Sequence, residues 1–290
     1  MSIVGRLLLF VTFLSLALQG FAITGEDLKI RLHSKLAEIK IGVYGSVVTF
    51  KEGTVLSNEN IVHLAYTAHE AMRGRLAGDK AAAGPGSQSF RNDVTRNYGP
   101  TVMTAVVQDN HVFLASSMKG RGLIYDPKTT KIDLQLTSQS VAYWKGLKSN
   151  VCPSAVQQGL QDCGFLVTDT KGAQHAVGHQ NGGSCGEVFA GWALCDTVPK
   201  KNSPVRVVTV AYSGEKMVIK EPCGATPEED VLGWIPRGCQ TFTRSLGWTV
   251  IPSGTKAIDA GHVSVESARE ATYHTTSHAR AQAQAQAHGH

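Results

Sequence analysis

After its first 22 residues the chain has no long hydrophobic run. A membrane-spanning helix needs about 20 consecutive, mostly apolar residues. Nothing from Ile23 onward supplies them, which excludes a spanning helix in the body of the protein. The chain also lacks a strong charge of either sign. Its 28 Lys and Arg residues against 23 Asp and Glu leave +5, and losing Arg6 lowers that by one. Such a mild excess is compatible with an anionic partner but does not require one. Cysteine is missing from the whole first half, and no two cysteines stand in a C-x-x-C pair.

The one apolar run present, LLLFVTFLSLAL, follows Arg6 and ends in small residues at Gly20 and Ala22. A cation, an apolar core and small residues in that order form the three-part pattern of a secretory signal, with cleavage expected after Ala22. Residues 1–22 are read as a signal peptide and the mature protein as secreted, with no membrane span left after signal removal. The six cysteines are Cys152, Cys163, Cys185, Cys195, Cys223 and Cys239. An even count in an exported chain first suggests three disulfides, with 15 possible pairings. A chain of this size buries a core without such staples, so the count alone does not decide their use.

Local patterns divide the rest. EDLKIRLHSKLAEI has apolar positions at helical spacing, and a second helix, NIVHLAYTAHEAM, follows the cap signal at Ser57-Asn58. Between them IGVYGSVVTF suits a short strand or buried connector, and His63, His69 and Glu70 fall on an ordinary polar helix face. AGDKAAAGPGSQS reads as a linker, so 23–98 is expected to be a helical N-terminal region. TVMTAVV and HVFLASS flank Asp109-Asn110, a hairpin signal. FLVTD, the apolar β-branched run PVRVVTVAYS and WTVIP read as strands, while SCGEVFAGWALCD and GCQTFTRSL read as helices, the latter stopped by Gly247. Alternating strands and helices point to a three-layer α/β/α sandwich over residues 99–257. Residues 258–290 end in Ala-Gln repeats and read as a low-complexity tail.

Cys185 is open to three readings. Gly182-Gly183-Ser184-Cys185-Gly186 matches G-x-S-x-G, the nucleophile turn of serine hydrolases, with Asp259 and His262 arriving later in the chain; no apolar strand precedes it to launch the turn. In a disulfide scaffold Cys185 is one of three pairs and the protein a non-enzymatic binding or effector molecule. In the third reading Cys185-x-Glu187 opens one helix, Pro222-Cys223 follows a buried strand, and Gly238-Cys239 opens another helix. Zinc deaminases need three protein ligands, an open position for water and a carboxylate beside that water.

The order of hairpin, ligand helix, strand, ligand helix and strand resembles the cytidine-deaminase-like superfamily, in a secreted or toxin-type form. That resemblance covers about residues 99 to 253. It implies a deaminase-type sandwich, zinc held by Cys185, Cys223 and Cys239, and Glu187 as the proton carrier. The expected activity is hydrolytic removal of the amino group of a nucleobase, free or within a nucleic acid, in a toxin or effector role. The chain departs from the pattern where GATPEEDVLGWIPRG separates the last two cysteines, a loop that would place Trp234 or Arg237 over the pocket. The resemblance also points to Ala115-Ser116-Ser117 and His179-Gln180-Asn181 as the stretches nearest the base. Asn181 and Ser117 are the expected hydrogen-bonding groups, and His179 is a substitute ligand if one of the three is an imidazole. Lys119, Arg121, Lys128 and Lys131 form a thin basic patch. Of the remaining thiols, Cys195 is expected on the apolar side of its helix, in the core, with Cys152 and Cys163 either paired or reduced.

Overall fold

The structure is a computed structural model that describes residues 22–38, 41–83, 99–120, 156, 159–160, 162–163, 165–168, 174–177, 179, 181, 183–197, 203–224, 238–261 and 263–271. The first seed is the expected hairpin. Strands β4 (Val102–Gln108) and β5 (His111–Ser116) pair antiparallel from Met103↔Ser116 to Gln108↔His111. Asp109 turns the chain with φ 54°, a left-handed conformation that a short polar side chain tolerates better than most.

Strand β9 (Arg206–Ser213) lies antiparallel to β4, with Thr104 opposite Thr209. Strand β10 (Lys216–Lys220) folds back on the end of β9, and β11 (Thr249–Val250) runs parallel to its start. On the other flank β5 carries β3 (Tyr44–Phe50), which is edged by β1 (Arg31–Leu32) and β12 (Val265–Arg269). The result is an 8-stranded sheet ordered β1-β3-β5-β4-β9-β10, with β11 on β9 and β12 on β3. Two short ladders stand apart from it, β2 (Ile41–Gly42) with β6 (Lys119–Gly120) and β7 (Phe165–Thr168) with β8 (Gln174–Val177).

Because side chains alternate along a strand, the central strands feed two cores. Val48, Phe50, Ala105, Val107, Val112, Leu114, Val208 and Val210 point to one face. There they meet Ile61, Leu64, Ala65, Ala68 and Met72, a stripe at helical spacing along α3 (Asn58–Ala83). The N-terminus of α3 is closed reciprocally: Asn60 N–H donates to Ser57 Oγ and Ser57 N–H to Asn60 Oδ1, each at 3.2 Å. Val47, Val106, Phe113, Ala115 and Val207 face the other way, against Val188, Phe189 and Trp192 of α4 (Gly186–Thr197) and Phe242 of α5 (Cys239–Ser245). The fold is thus mixed α/β, and its central strands are buried on both faces, which explains why they read as unbroken apolar runs.

Three expectations meet a different outcome. EDLKIRLHSKLAEI is not one helix but α1 (Gly25–Leu28), β1 and α2 (Ser34–Glu38). Lys29 adopts φ 51° after α1, and Arg31 and Leu32 pair with Gly45 and Tyr44; edge pairing outcompetes helical periodicity here. In IGVYGSVVTF, Tyr44–Phe50 is an interior strand and Ile41–Gly42 belongs to a separate ladder, so this N-terminal region supplies β1 and β3 of the sheet instead of being only helical. The tail's Val265–Arg269 forms β12 on β3, and Ala271 accepts a 2.8 Å hydrogen bond from buried His33 Nε2. This strand is largely polar and sits at an edge, so no apolar pattern announced it.

Gly186 lets α4 start directly on the hairpin. A Cβ there would lie 2.7 Å from Ala115 O and closer still to Thr104 Oγ1. Gly186→Ala is expected to cost about 1–3 kcal/mol through this overpacking, read as a lower denaturation midpoint with an unchanged far-UV spectrum.

Candidate metal centre

Three chain segments converge at the start of α4. His179, Asn181 and residues 183–185 lie between β8 and α4, the chain leaves β10 through Pro222-Cys223-Gly224, and Gly238 caps α5. Their ligating atoms, His179 Nε2 and the Sγ atoms of Cys185, Cys223 and Cys239, all lie within 4.8 Å of one another. The Cys185 and Cys223 sulfurs are 3.6 Å apart, and His179 Nε2 stands 3.3 Å from Cys239 Sγ and 3.9 Å from Cys223 Sγ. Bond lengths of 2.3 Å to sulfur and 2.0–2.1 Å to nitrogen around tetrahedral zinc give edges of about 3.6–3.8 Å. The donor set and its spacing therefore fit a zinc-sized, thiophilic metal ion.

Cys223 is fixed against the first turn of α5. Its carbonyl accepts from Gln240 N–H at 3.1 Å and its sulfur from Cys239 N–H at 3.1 Å. Gly224 makes the turn with φ 83°. A Cβ on Gly238 would press on the Cys223 carbonyl and come within 2.8 Å of its sulfur, so the glycine is what lets the two segments touch. The long separation between the last two cysteines is thereby neutralised: the chain departs at Gly224 and returns at Gly238 to the same point.

Glu187, two residues after Cys185, is 4% exposed. Its Oε1 accepts from Thr209 Oγ1 at 2.9 Å, and Thr209 and Thr104 share a 2.6 Å hydrogen bond across β4 and β9. These threonines were not anticipated as site residues. The available signal was one polar residue interrupting each of two apolar strands, in VMTAVV and VVTVA, on the face that α4 covers.

Burial pushes the Glu187 carboxyl up, against the Thr209 hydroxyl that favours its charged form. The Cys223 thiol is held far below its ordinary value, chiefly by the hydrogen bond from the Cys185 thiol and also by His179. Cys185 is pushed up by that same bond, and Cys239 by its complete burial. Gathering three thiols in one buried place disfavours ionising all of them unless a positive charge sits among them.

A cavity of about 290 Å³ opens beside the cluster. Ser117, Asn181, Cys185, Glu187, Thr209 and Cys223 line it, so two of the three expected base-contacting groups in the described residues meet the expected proton carrier there. Asn181 is exposed and its Nδ2 reaches Cys185 Sγ at 3.5 Å; Ser117 Oγ is buried with no hydrogen-bond partner. His179, expected near the base or as a substitute ligand, joins the cluster itself and is 1% exposed. Lys119, Lys220 and Glu221 complete the rim. Trp234, Arg237, Arg121, Lys128 and Lys131 lie outside the described residues.

The other readings of the cysteines lose their support. Cys163, Cys185, Cys223 and Cys239 are free thiols, so three disulfides do not form. Cys195 packs against the α4 core as expected, but as one half of a disulfide and not as a free thiol. Asp259, the acid of the hydrolase reading, faces His63 of α3 at 3.4 Å, on the opposite face of the sheet from Ser184. His262 lies outside the described residues.

Comparison with protein-family models, with curated proteins and with solved structures finds no match to this chain.

Cys163 supplies an internal control. It is fully buried, and its thiol is pushed up to about 12, mainly by burial. Purified protein is expected to carry about one zinc per chain, lost on Cys185→Ser, Cys223→Ser or Cys239→Ser and kept on Cys163→Ser. Elemental analysis of the four variants checks this, and equal metal content in all of them would refute the site.

Proposed function

We propose that the protein is a secreted zinc-dependent deaminase-like hydrolase that removes the amino group of a nucleobase. The observation that carries this reading is Glu187: a buried carboxylate, oriented by Thr209, on the same small cavity as two thiols of a three-cysteine, one-histidine cluster. A scaffold held by cysteines alone has no use for such a carboxylate, because burying it costs free energy that packing does not return.

The order of elements gives further support. Hairpin β4–β5, helix α4, strand β9, helix α5 and strand β11 follow one another, β11 lies parallel to β9, and helices cover both faces of the sheet. A three-layer deaminase-type sandwich has this sequence of parts, with both ligand-bearing helix starts at one edge. In this reading Cys185, Cys223 and Cys239 hold the zinc. When bound, zinc supplies the Lewis acidity that makes water a competent nucleophile near neutral pH.

The chain's own groups do the rest. Glu187, with Thr209 holding Oε1, takes one proton from water and delivers it to the ring nitrogen, then carries the second proton, from the added hydroxyl, to the departing amine. In this reading Asn181 and Ser117, which line the cavity, bond the edge of the base, and the unpartnered Ser117 Oγ supports that role. The 290 Å³ of the cavity suits one heterocycle, with Lys119 and Lys220 at its rim for an attached anionic group. A target outside the producing cell, hence a toxin or effector role, follows from the signal-like first 22 residues.

A second reading treats the cluster as a closed structural metal site, because four donor atoms converge there. One substitution separates the two. Glu187→Gln keeps the shape of the side chain but cannot accept the proton. It is expected to lower ammonia release from the amino-bearing nucleobase substrate by about 10²–10⁴-fold with zinc content unchanged. Undiminished turnover in this variant would falsify the deaminase reading.

A further inference from the structure

Four candidate ligands surround the centre, yet the hydrogen bonds treat His179 differently from the cysteines. We infer that His179 is a hydrogen-bond donor to the Cys239 sulfur and not a metal ligand, so that the centre has three thiolates and a fourth position open toward the cavity. The inference rests on the metal reading of the cluster and specifies its coordination.

The argument begins at the far side of the imidazole. Asn181 backbone N–H donates to His179 Nδ1 at 3.2 Å. A backbone amide can only donate, so Nδ1 presents its lone pair. A neutral imidazole carries one proton, which must then sit on Nε2. That nitrogen is 3.3 Å from Cys239 Sγ, an N–H···S contact. To ligate through Nε2, the ring would have to move its proton to Nδ1 and set it against the Asn181 N–H, donor facing donor. Metal-bound histidines have the reverse arrangement, in which the outer N–H points at an acceptor.

The rest of the cluster follows one scheme. Cys185 Sγ receives Asn181 Nδ2 at 3.5 Å, Cys223 Sγ receives Cys239 N–H at 3.1 Å, and Cys239 Sγ receives His179 Nε2. Each of the three sulfurs has an N–H donor from the protein. Such bonds withdraw charge from a thiolate and offset the accumulation of negative charge at a three-thiolate centre. Counting His179 as a fourth ligand would remove one donor from that scheme.

Position in the site agrees. His179 and Cys239 are 1% and 0% exposed, while the cavity touches Cys185, Cys223 and Glu187 and not the imidazole. The uncommitted coordination position accordingly faces the side where Glu187 stands. His179 is a positioning residue: it holds Cys239 and acts through it.

Cobalt(II) substitution of the full chain tests this, because its visible spectrum reports both ligand identity and access by a small anion. Wild type is expected to bind one cobalt with thiolate charge-transfer bands, and added azide should shift its visible bands. His179→Ala should keep those bands and the azide response, with affinity reduced by about 10–100-fold, the usual effect of losing an outer hydrogen bond. His179→Gln, which keeps an N–H but has no ring nitrogen, should recover most of that affinity. The inference fails if azide perturbs only His179→Ala, or perturbs neither protein, since the wild-type centre is then closed. It also fails if His179→Ala and His179→Gln both lose cobalt as completely as Cys239→Ala. Those outcomes leave a metal site standing, whereas failure of the wild type to bind cobalt overturns the metal reading itself.

Discussion

The arrangement of the molecule turns on one electrostatic constraint. Three thiols and a carboxyl group are gathered at the foot of α4, under helices and against a sheet. Each is an anion when ionised, and among the described residues no lysine or arginine serves as a hydrogen-bond partner within the cluster. Low-dielectric surroundings make such a gathering expensive unless something positive sits among the groups or the charges stay quenched by protons. The protein supplies what neutral donors can give: two backbone or side-chain amides, one imidazole N–H and a threonine hydroxyl. The opposite directions in which Cys223 and its neighbours Cys185 and Cys239 are pushed express the same constraint.

The fold is organised to meet that demand at one edge. A central sheet that is apolar on both faces fixes β4 and β9 side by side, and the only polar side chains of their inner pairing, Thr104 and Thr209, fall beneath the carboxylate. Helix α4 rests on the hairpin because Gly186 has no side chain to hold it off. Helix α5 then brings Cys239 and, through its first amides, Cys223. Precision at the cluster thus rests on Cys185 and Cys239 standing at the starts of two packed helices and on the hydrogen bonds that tie Cys223 to α5.

How much of this was legible depended on whether the signal was local. The hairpin at Asp109-Asn110, the cap at Ser57, the helices after Cys185 and Cys239 and the buried run of β9 all carry their cause within a few neighbouring residues, and all are where the sequence puts them. Strands β1 and β12 are edge strands whose pairing partner, β3, is remote in sequence, so helical periodicity misled at one and low complexity concealed the other. At the centre, the gathering of Cys185, Cys223 and Cys239 was anticipated through the resemblance to the deaminase-like superfamily. Thr209 and the role of His179 were not, because each depends on a hydrogen bond across segments tens of residues apart. Cys195 shows the limit of an amphipathic reading: its packing against the core follows from its helix face, but its disulfide depends on a second cysteine that the pattern does not name.

The contact between Cys223 and Gly238 has a consequence for how such a protein can change. Since the segment 225–237 starts and finishes at one anchored spot, its length enters the stability of the fold only through a slowly varying closure entropy. Insertions or deletions in it therefore need not displace the sulfurs, whose positions are held by the contacts of Cys223 with Gly238 and Cys239.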